Sequence, residues 1–268
     1  MTGRRVLVVL AAAAVAAFLA PVAWIVSLSV RRPADVLAQR LFVEPTLDNY
    51  RAVLADDPAF VQGLANSGLV AVGATLLALA CGVPAAHALA RTEFPGRRGF
   101  WRFVLSTRVA PPAAMVIPLY VLFFRLGLLD TRTGLVLLYG AANTSLVVWM
   151  MRGFFEEVPV EVEEAARVDG AGPLRAFFEV TLPLAAPGLA ATTVMALVTC
   201  WNEFLFATML AGGEARTAPV AIAQYVTFRA VLWGKLAAAS LLTALPIVVL
   251  VLSVQRQLVR GVLGGRAR

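Results

Sequence analysis

Charged residues are scarce in this sequence of 268 residues. Only 15% of the residues are Asp, Glu, Lys or Arg, and 60% are hydrophobic, whereas a soluble domain carries about 25% charged residues. This composition excludes an ordinary soluble domain and predicts an integral membrane protein. The net charge of +7 does not indicate a nucleic-acid partner, because the positive residues cluster beside apolar segments, where they orient a chain in the bilayer.

Residues that bind metals or perform catalysis are equally few. The chain has one histidine and two cysteines. Cys81 and Cys200 lie inside apolar segments without the spacing of a metal site, so they are predicted to be packing residues. His87 has no neighbouring cluster of carboxylates or thiols in the sequence, which favours a packing or interfacial role. The sequence therefore predicts neither a catalytic residue nor a metal site.

The Gly-x-x-x-x-Gly-Lys-Ser/Thr phosphate loop is also missing, since Gly234-Lys235 is followed by Leu236. That loop is the usual means of holding the phosphates of ATP. We therefore expect this chain to bind no cofactor, and any ATP-driven step to take its energy from another subunit.

Six apolar segments are present, each near the roughly 20 residues that span a bilayer. The predicted spans are about residues 6–30, 64–90, 103–124, 134–151, 184–210 and 236–258. The first is too long for the apolar core of a cleaved signal peptide, about 7–15 residues, so it is interpreted as a retained helix. The fold class is an all-α polytopic helix bundle, taken as one domain over residues 1–268. Pro111, Pro112 and Pro118 predict that the third helix is kinked and buried in the bundle.

The loops between the spans predict an orientation. If the N-terminus is cytoplasmic, the inner segments carry fourteen of the 23 lysines and arginines and the outer segments carry nine. Positive residues are enriched on the cytoplasmic side. We therefore predict a multi-pass protein of the cell membrane with both termini in the cytoplasm.

The stretch from Glu156 to Pro187 is the only long charged run between two strongly apolar segments. We call its residues 156–183 the bracket loop. Pro159 suits the first turn of a helix, Gly170 offers a left-handed stop, and Gly172 with Pro173 can begin a second short helix that Pro183 ends. This second helix would place Leu174, Phe177 and Phe178 on one side. From this pattern alone, the apolar side could lie against the protein's own helix ends or form an interface.

The spacing of the bracket loop resembles the EAA loop of permease subunits in bacterial ABC importers. That pattern is E-A-A, three residues, Gly, nine residues, Ile, one residue and Leu-Pro, and this chain departs from it only by Val180 in place of Ile. The matching residues are Glu164-Ala165-Ala166, Gly170 and Val180-Thr181-Leu182-Pro183. The turn Arg91–Arg98 also resembles the Arg-x-x-Phe-Pro-Gly signature of that family. The resemblance extends over nearly the whole chain and is to the carbohydrate-type branch, which includes maltose, trehalose and glycerol-3-phosphate permeases.

The resemblance implies specific partners. It implies a homologous second permease subunit, a dimer of ATP-binding subunits that holds ATP and Mg, an extracytoplasmic substrate-binding protein and the surrounding membrane lipid, and it implies no nucleic acid. In that family the loop is a coupling helix that inserts into a cleft of the ATPase. The residues expected to couple to the ATPase are Glu164, Ala165, Ala166, Asp169, Gly170, Phe177, Phe178, Leu182 and Pro183.

Polar residues within the spans are candidates for a translocation path or gate. Asn143 lies at mid-membrane depth in the fourth segment, where it could hydrogen-bond to a neighbouring helix or line a hydrophilic path. Asn202 and Glu203 belong to Trp201-Asn202-Glu203-Phe204, which also resembles the family. A continuous fifth helix would place Glu203 roughly 28 Å from Leu184, towards the outer interface. A charge there could serve a gate or be held near the surface by Trp201.

The function indicated is a permease subunit of an ATP-driven importer for a sugar or sugar-like solute. Two alternatives stay open: a self-sufficient secondary transporter or channel subunit, and an ABC permease for a non-sugar solute such as glycerol-3-phosphate. A secondary transporter would be expected to carry central ionisable residues or paired helix interruptions in two repeats. The sequence does not identify the solute.

Overall fold

The computed structural model describes residues 2–38, 40 and 43–264, and these residues are helical apart from short connections. The C-terminal residues 264–268 do not match the tail common in the family that the sequence resembles, and of these residues 265–268 lie outside the described ones. The helices are α1 Thr2–Ser29, α2 Pro33–Leu37, α3 Asp48–Leu54, α4 Pro58–Arg91, α5 Arg97–Val109, α6 Pro112–Arg125, α7 Arg132–Glu157, α8 Val160–Val168, α9 Pro173–Ala176, α10 Leu182–Leu184, α11 Ala186–Trp201, α12 Leu205–Leu210, α13 Ala218–Ala223 and α14 Trp233–Gly264.

Four of these helices are long and apolar enough to cross a membrane by themselves. They are Arg5–Ser29 within α1, Pro58–Arg91, Arg132–Glu157 and Trp233–Val254 within α14. Two further pairs reach this length and hydropathy only together, namely α5 with α6 and Pro173–Leu184 with α11. If each bent pair is counted as one span, the described residues contain six candidate membrane spans. The predicted all-α membrane fold is confirmed.

The chain divides into two compact units. One contains the chain up to Leu64 together with Ala218–Pro246, and the other contains Ala65–Thr217 and the chain from Ile247 onward. The prediction that residues 1–268 act as a single domain stays a prediction.

In the first unit, α3 joins the end of α1 through Asn49. This buried amide donates hydrogen bonds to the carbonyl oxygens of Ser29 at 2.9 Å and Arg31 at 2.8 Å. Nearby, the Tyr225 hydroxyl donates to Asp57 at 2.9 Å. Burial raises the pKa of this hydroxyl above its usual range, and Asp57 raises it further. These bonds hold the connecting segments of this unit to its helices.

The second unit has its core where α4, α7 and α11 pack together. Ala78, Val147, Met151, Phe155 and Ala196 are buried there. Small residues let helices approach closely in membrane proteins, and Gly188 shows this most clearly. A Cβ built on Gly188 would lie 2.1 Å from Cγ of Phe154, so only glycine fits between α11 and α7 at this point.

The third predicted span is two helices and not one kinked helix. The axes of α5 and α6 meet at 97°. Ala110 and Pro111 are both extended, with ψ of 126° and 121°, because each precedes a proline, which disfavours the helical conformation of the residue before it. The prediction that this span is buried in the bundle is wrong for this chain. Among the described residues of α5 and α6, only Val104 and Phe123 are buried.

The fifth predicted span is interrupted as well. α11 ends at Trp201, residues 202–204 are not helical, and α12 begins at Leu205. Glu203 therefore lies in a break, and the continuous fifth helix on which the estimate of its depth rested is wrong. At the other end, α11 makes an angle of 78° with the preceding helical segment Pro173–Leu184.

Candidate functional site

The bracket loop begins with α8, whose ends follow from local sequence. Pro159 lies at the N-cap, one position before the first turn, and α8 ends in a turn that requires glycine. Gly170 has φ of +88° and donates its N–H to the Arg167 carbonyl at 3.1 Å, while the Ala171 N–H donates to the Ala166 carbonyl at 3.0 Å. These two bonds form a Schellman motif, which satisfies the last carbonyls of a helix. The predicted left-handed stop at Gly170 is confirmed.

The second helical segment starts as predicted but does not end where predicted. Gly172 is the N-cap and Pro173 is the first helical residue of α9. The segment then widens into a π turn over Phe177–Thr181 and continues through Pro183 into α10. The N–H of Leu182 reaches five residues back, to the Phe177 carbonyl. A proline that follows such a wide turn stays within the helical segment although it has no N–H to donate, and the segment ends at Leu184, one residue after the predicted end at Pro183.

Glu163 joins the bracket loop to the membrane helix α4. Its side chain is 3% exposed, and its two carboxylate oxygens have different partners. Oε2 accepts from Nε of Arg91 at 2.9 Å, and Oε1 lies 3.0 Å from Nε2 of His87. Arg91 also donates to the Val158 carbonyl at 2.6 Å, just before α8. The end of α4 is therefore bonded to Val158, which precedes α8, and to Glu163 in the first turn of α8.

His87, predicted to be a packing or interfacial residue, has a carboxylate partner that is 76 positions away in the sequence. Besides contacting Glu163, its ring lies 4.7 Å from the Phe177 ring and 5.4 Å from the Phe155 ring, measured between centroids. The predicted packing role of His87 is consistent with these contacts. In the part of the chain that the structure describes, no group of three or more histidines, cysteines and carboxylates could hold a metal ion.

Glu163 was not among the predicted site residues, although it directly precedes Glu164-Ala165-Ala166. A local signal exists, because Arg167 lies four residues later and its guanidinium is 3.8 Å from the Glu163 carboxylate. That spacing indicates an ion pair on one helix face. It does not reveal Arg91, which is 72 residues away in sequence.

The apolar side of the second helical segment is divided between the protein's interior and its surface. Phe177 is buried and packs with the core of α4 and α7. Leu174 is 75% exposed and Phe178 is 59% exposed. We call Leu174, Phe178 and the exposed Val168 the apolar surface of the bracket loop. Of the other residues expected to couple to an ATPase, Glu164, Ala165, Asp169, Gly170 and Pro183 are exposed, and Ala166 and Leu182 are half-buried.

Glu203, the candidate for an outer gate, caps the helix that follows the break. Its carboxylate accepts the N–H groups of Phe206 at 2.9 Å and Ala207 at 3.1 Å, which are among the unpaired donors at the start of α12. It also accepts the hydroxyl of Tyr139 on α7. A carboxylate at the start of a helix stabilises that end, so Glu203 fixes both the break after α11 and its position against α7.

The two asparagines of the candidate path lie in different environments. Asn143 is buried, and its amide donates to the Tyr139 carbonyl at 3.0 Å and to Sγ of Cys200 at 3.2 Å, so it connects α7 to α11. Asn202 is exposed and donates to the Val198 carbonyl at 2.9 Å, at the end of α11. A role in the translocation path stays a prediction for Asn143, Asn202 and Glu203.

We expect Glu203→Ala to destabilise the protein by about 2 kcal/mol. Loss of a helix cap costs about 0.5–2 kcal/mol, and the Tyr139 hydroxyl, on a residue that is 2% exposed, loses its acceptor. Thermal unfolding in detergent measures this effect. Asn202→Ala is the matched control, because its side chain is exposed, and it should lower the unfolding temperature much less. Equal effects of the two variants would show that the cap contributes little.

Two features thus define the class of protein: up to six membrane-spanning helical segments, and between two of them a bracket of short helices with an exposed apolar surface. The model of the family described as binding-protein-dependent transport system inner membrane component matches residues 74–264. The chain belongs to this family and is a multi-pass membrane permease.

Named relatives lie within the branch that the sequence resembles. The trehalose transport system permease protein SugB of Mycobacterium tuberculosis is 37% identical over 255 residues, which cover 93% of this chain and 92% of that protein. The trehalose/maltose transport system permease protein MalG of Thermococcus litoralis is 32% identical over 267 residues, which cover 98% of this chain and 96% of that protein. The predicted resemblance to carbohydrate-type permeases is confirmed.

A solved structure has the same fold. It is the crystal structure of a bacterial ABC transporter involved in the import of the acidic polysaccharide alginate. The TM-score is 0.81 at 28% sequence identity, and the match covers 95% of this chain and 96% of that chain.

Proposed function

We propose that this chain is the permease subunit of an ATP-driven importer for a sugar, and that the bracket loop transmits the closure of partner ATPase subunits to the membrane helices. The observation that carries the proposal is the two-sided construction of the loop. One side is the apolar surface, whose side chains are exposed in this chain. The other side is bonded to α4 through Glu163.

Each side has a distinct role in this mechanism. The apolar surface inserts into a cleft of the ATPase, where Phe178 and Leu174 lose their exposure to water. A large aromatic residue in the centre of such a patch commonly supplies much of the binding energy. Movement of the loop then reaches α4 through Arg91 and His87, and reaches α7 through Phe177, which packs against Phe155 at 6.1 Å between ring centroids. Closure of the ATPases thereby changes which side of the membrane the path faces.

The assembly we propose has four kinds of component besides membrane lipid. A homologous second permease completes the path, two ATP-binding subunits hold ATP and Mg, and an extracytoplasmic binding protein delivers the solute. Both termini and the bracket loop face the cytoplasm in this arrangement, since the loops with more positive residues then lie inside.

A sugar is the proposed solute because the named relatives transport trehalose or maltose. We place Asn143, Asn202 and Glu203 along or near the path in the proposed function. The direct test of the solute class is calorimetric titration of the binding protein encoded beside this chain with a panel of sugars. Binding of a non-sugar anion such as glycerol 3-phosphate, with no response to sugars, would contradict the assignment.

We expect the double substitution Leu174→Ser and Phe178→Ser to lower both the co-purified ATPase and solute uptake at least tenfold. Removal of one hot-spot aromatic side chain costs about 2 kcal/mol or more. Co-purification and uptake into cells measure the two effects, and the unfolding temperature should stay near that of the native protein because both side chains are exposed.

The same short helical segment offers a matched control. Arg175 and Glu179 are both exposed and pair with each other at 2.8 Å, so Arg175→Gln with Glu179→Gln leaves the net charge unchanged. An exposed ion pair contributes about 0–1 kcal/mol, and we expect this control to change uptake less than twofold. Normal co-purification of the ATPase with the Leu174 and Phe178 variant would rule out the bracket loop as the docking element.

A further inference from the structure

A basic cavity lies beside the bracket loop at the same end of the second unit. Its volume is about 560 Å³, and it is lined by Arg97, Arg98, Trp101, Arg152, Glu93, Phe94 and Gly96. We call it the arginine cavity. Neither the bracket loop nor the candidate path uses it, although it is lined by three arginines and one glutamate. The lining therefore carries an excess of positive charge, which favours an anionic ligand.

The three arginines differ in whether a carboxylate pairs with them. Arg97 pairs with Glu93, and Nε of Arg152 donates to Glu156 at 2.7 Å. Arg98 is exposed, and no ion pair joins it to another described residue. A guanidinium group presents several N–H donors in a plane and suits phosphate oxygens, even when one edge is already bonded. The cavity can therefore offer donors from at least two arginines to one anion.

The aromatic neighbours place the cavity at the depth of lipid headgroups. Arg152 is the first charged residue after the apolar run of α7, and its guanidinium lies 4.2 Å from the centre of the Trp101 ring. A second pair of the same kind joins Arg108 and Trp149 at 5.6 Å. Tryptophan and arginine are typical of the zone where the bilayer meets water. Two such pairs between α5 and α7 indicate that both helices cross this zone here.

The helix α5, which supplies Arg97, Arg98 and Trp101 to the cavity, has the composition of an interfacial helix. It carries four arginines and no acidic residue. Its apolar residues Phe100, Phe103 and Val109 are 43%, 63% and 83% exposed. A helix with basic residues and exposed aromatic residues binds at the headgroup boundary of anionic membranes. Within the bent span formed by α5 and α6, the 97° turn lets α5 run near the membrane surface while α6 enters the apolar core.

We propose that the arginine cavity is a binding site for the phosphate group of an anionic phospholipid. Arg98 and Arg152 contact the phosphate, Trp101 contacts the glycerol region, and the acyl chains extend from the cavity into the bilayer. A basic pocket between membrane helices is the kind of site that binds anionic lipid headgroups. Zwitterionic lipids bind more weakly because their own amine offsets the phosphate charge. The lipid would thereby occupy a position next to α4 and α7, the helices to which the bracket loop is bonded.

The test measures lipids that stay bound to the purified protein. The full-length chain, co-expressed and purified with its partner subunits, is incubated in detergent with equal amounts of phosphatidylglycerol and phosphatidylcholine, and the retained lipids are quantified by native mass spectrometry. We expect phosphatidylglycerol to be retained in preference. In Arg98→Gln with Arg152→Gln its retention should fall about tenfold, because each arginine near the headgroup contributes a severalfold preference.

The control is a pair of exposed arginines elsewhere, Arg125→Gln with Arg229→Gln, which loses the same charge and should retain phosphatidylglycerol as the native chain does. Arg98→Gln alone should lower retention about threefold, and it tests the proposal even if the double variant does not fold. Equal retention of the two lipids, or an unchanged preference in the cavity variants, would overturn the proposal.

Two further arms separate the lipid from other anions. An excess of inorganic phosphate should leave the retained phosphatidylglycerol in place, because the acyl chains also bind; complete displacement would identify a site for free anions and contradict the lipid. If the cavity variants lose the ATPase but keep phosphatidylglycerol, the cavity is a protein contact and the proposal is wrong.

Discussion

Glu163→Gln is expected to destabilise the protein by about 3–5 kcal/mol and to abolish uptake. The carboxylate is 3% exposed, and the Arg91 side chain beside it is 7% exposed. Glutamine keeps the shape of the side chain but not its charge, so Arg91 remains charged in a buried position. Removal of one partner from a buried ion pair costs about 3–5 kcal/mol for this reason. The amide also has one acceptor oxygen where the carboxylate has two.

The measurement combines thermal unfolding with hydrogen exchange. Native Glu163 should protect the amides of α8, and the variant should lose that protection before the core of α7 does. Glu161→Gln is the matched control, because Glu161 lies on the same helix but is exposed; its effect should stay below about 1 kcal/mol, the usual size of a charge near a helix end.

A second variant distinguishes the ion pair from general packing. Replacement of both partners by methionine, Arg91→Met with Glu163→Met, leaves no buried charge and should be less destabilising than Glu163→Gln. If Glu163→Gln unfolds at the temperature of the native protein, Glu163 does not join the bracket loop to α4. The proposed mechanism also predicts the functional effect of Glu163→Gln. ATPase subunits should still bind at Leu174 and Phe178, but their ATP hydrolysis should no longer drive uptake.

Gly188→Ala is expected to destabilise the contact between α7 and α11 by about 1–3 kcal/mol, as overpacking of a close-packed core does. The new Cβ would lie 2.1 Å from Cγ of Phe154, an atom near the backbone of α7, and 2.4 Å from Cδ2. Rotation of the Phe154 ring about its Cβ–Cγ bond cannot remove a contact at Cγ, so either the whole Phe154 side chain or the two helices must shift.

The control for this substitution lies on α7 itself. Gly153→Ala adds the same methyl group one residue before Phe154, where no atom lies within 4 Å of the new Cβ. Alanine is favoured over glycine within a helix by about 0.5–1 kcal/mol, so this variant should unfold at the same or a higher temperature. The measurement is the thermal unfolding temperature of both variants. Equal stability of Gly188→Ala and Gly153→Ala would contradict the close approach of α11 and α7 at Gly188.

The bracket loop shows which features could be predicted without a structure. The turn at Gly170 and the start of α9 at Gly172 and Pro173 were predicted correctly, because glycine and proline act on the backbone within one or two residues of their own position. The apolar segments were predictable for a related reason, since length and hydropathy are properties of a continuous stretch. The motif at Glu164-Ala165-Ala166 then indicated the family.

The errors concern contacts between distant parts of the chain and competing local effects. Phe177 and Phe178 are neighbours with the same side chain, yet only the packing of α4 and α7 makes one buried and the other exposed. Successive prolines at positions 111 and 112 were interpreted as a kink, although together they hold two residues extended. The break at 202–204 also escaped prediction, because its apolar surroundings continue the hydropathy of a helix across it.

By itself, the sequence determined the class of protein, the apolar segments and the turns of the bracket loop, because these depend on composition and on backbone preferences of single residues. Only the tertiary structure decided that Glu163 bonds to Arg91 and His87, that Glu203 contacts Tyr139, and that basic residues of α5 and α7 line one cavity. Side chains separated by 50 or more positions in a sequence carry no local mark of their pairing. Their distances are set by how the helices pack, and the helices pack according to shape as well as polarity.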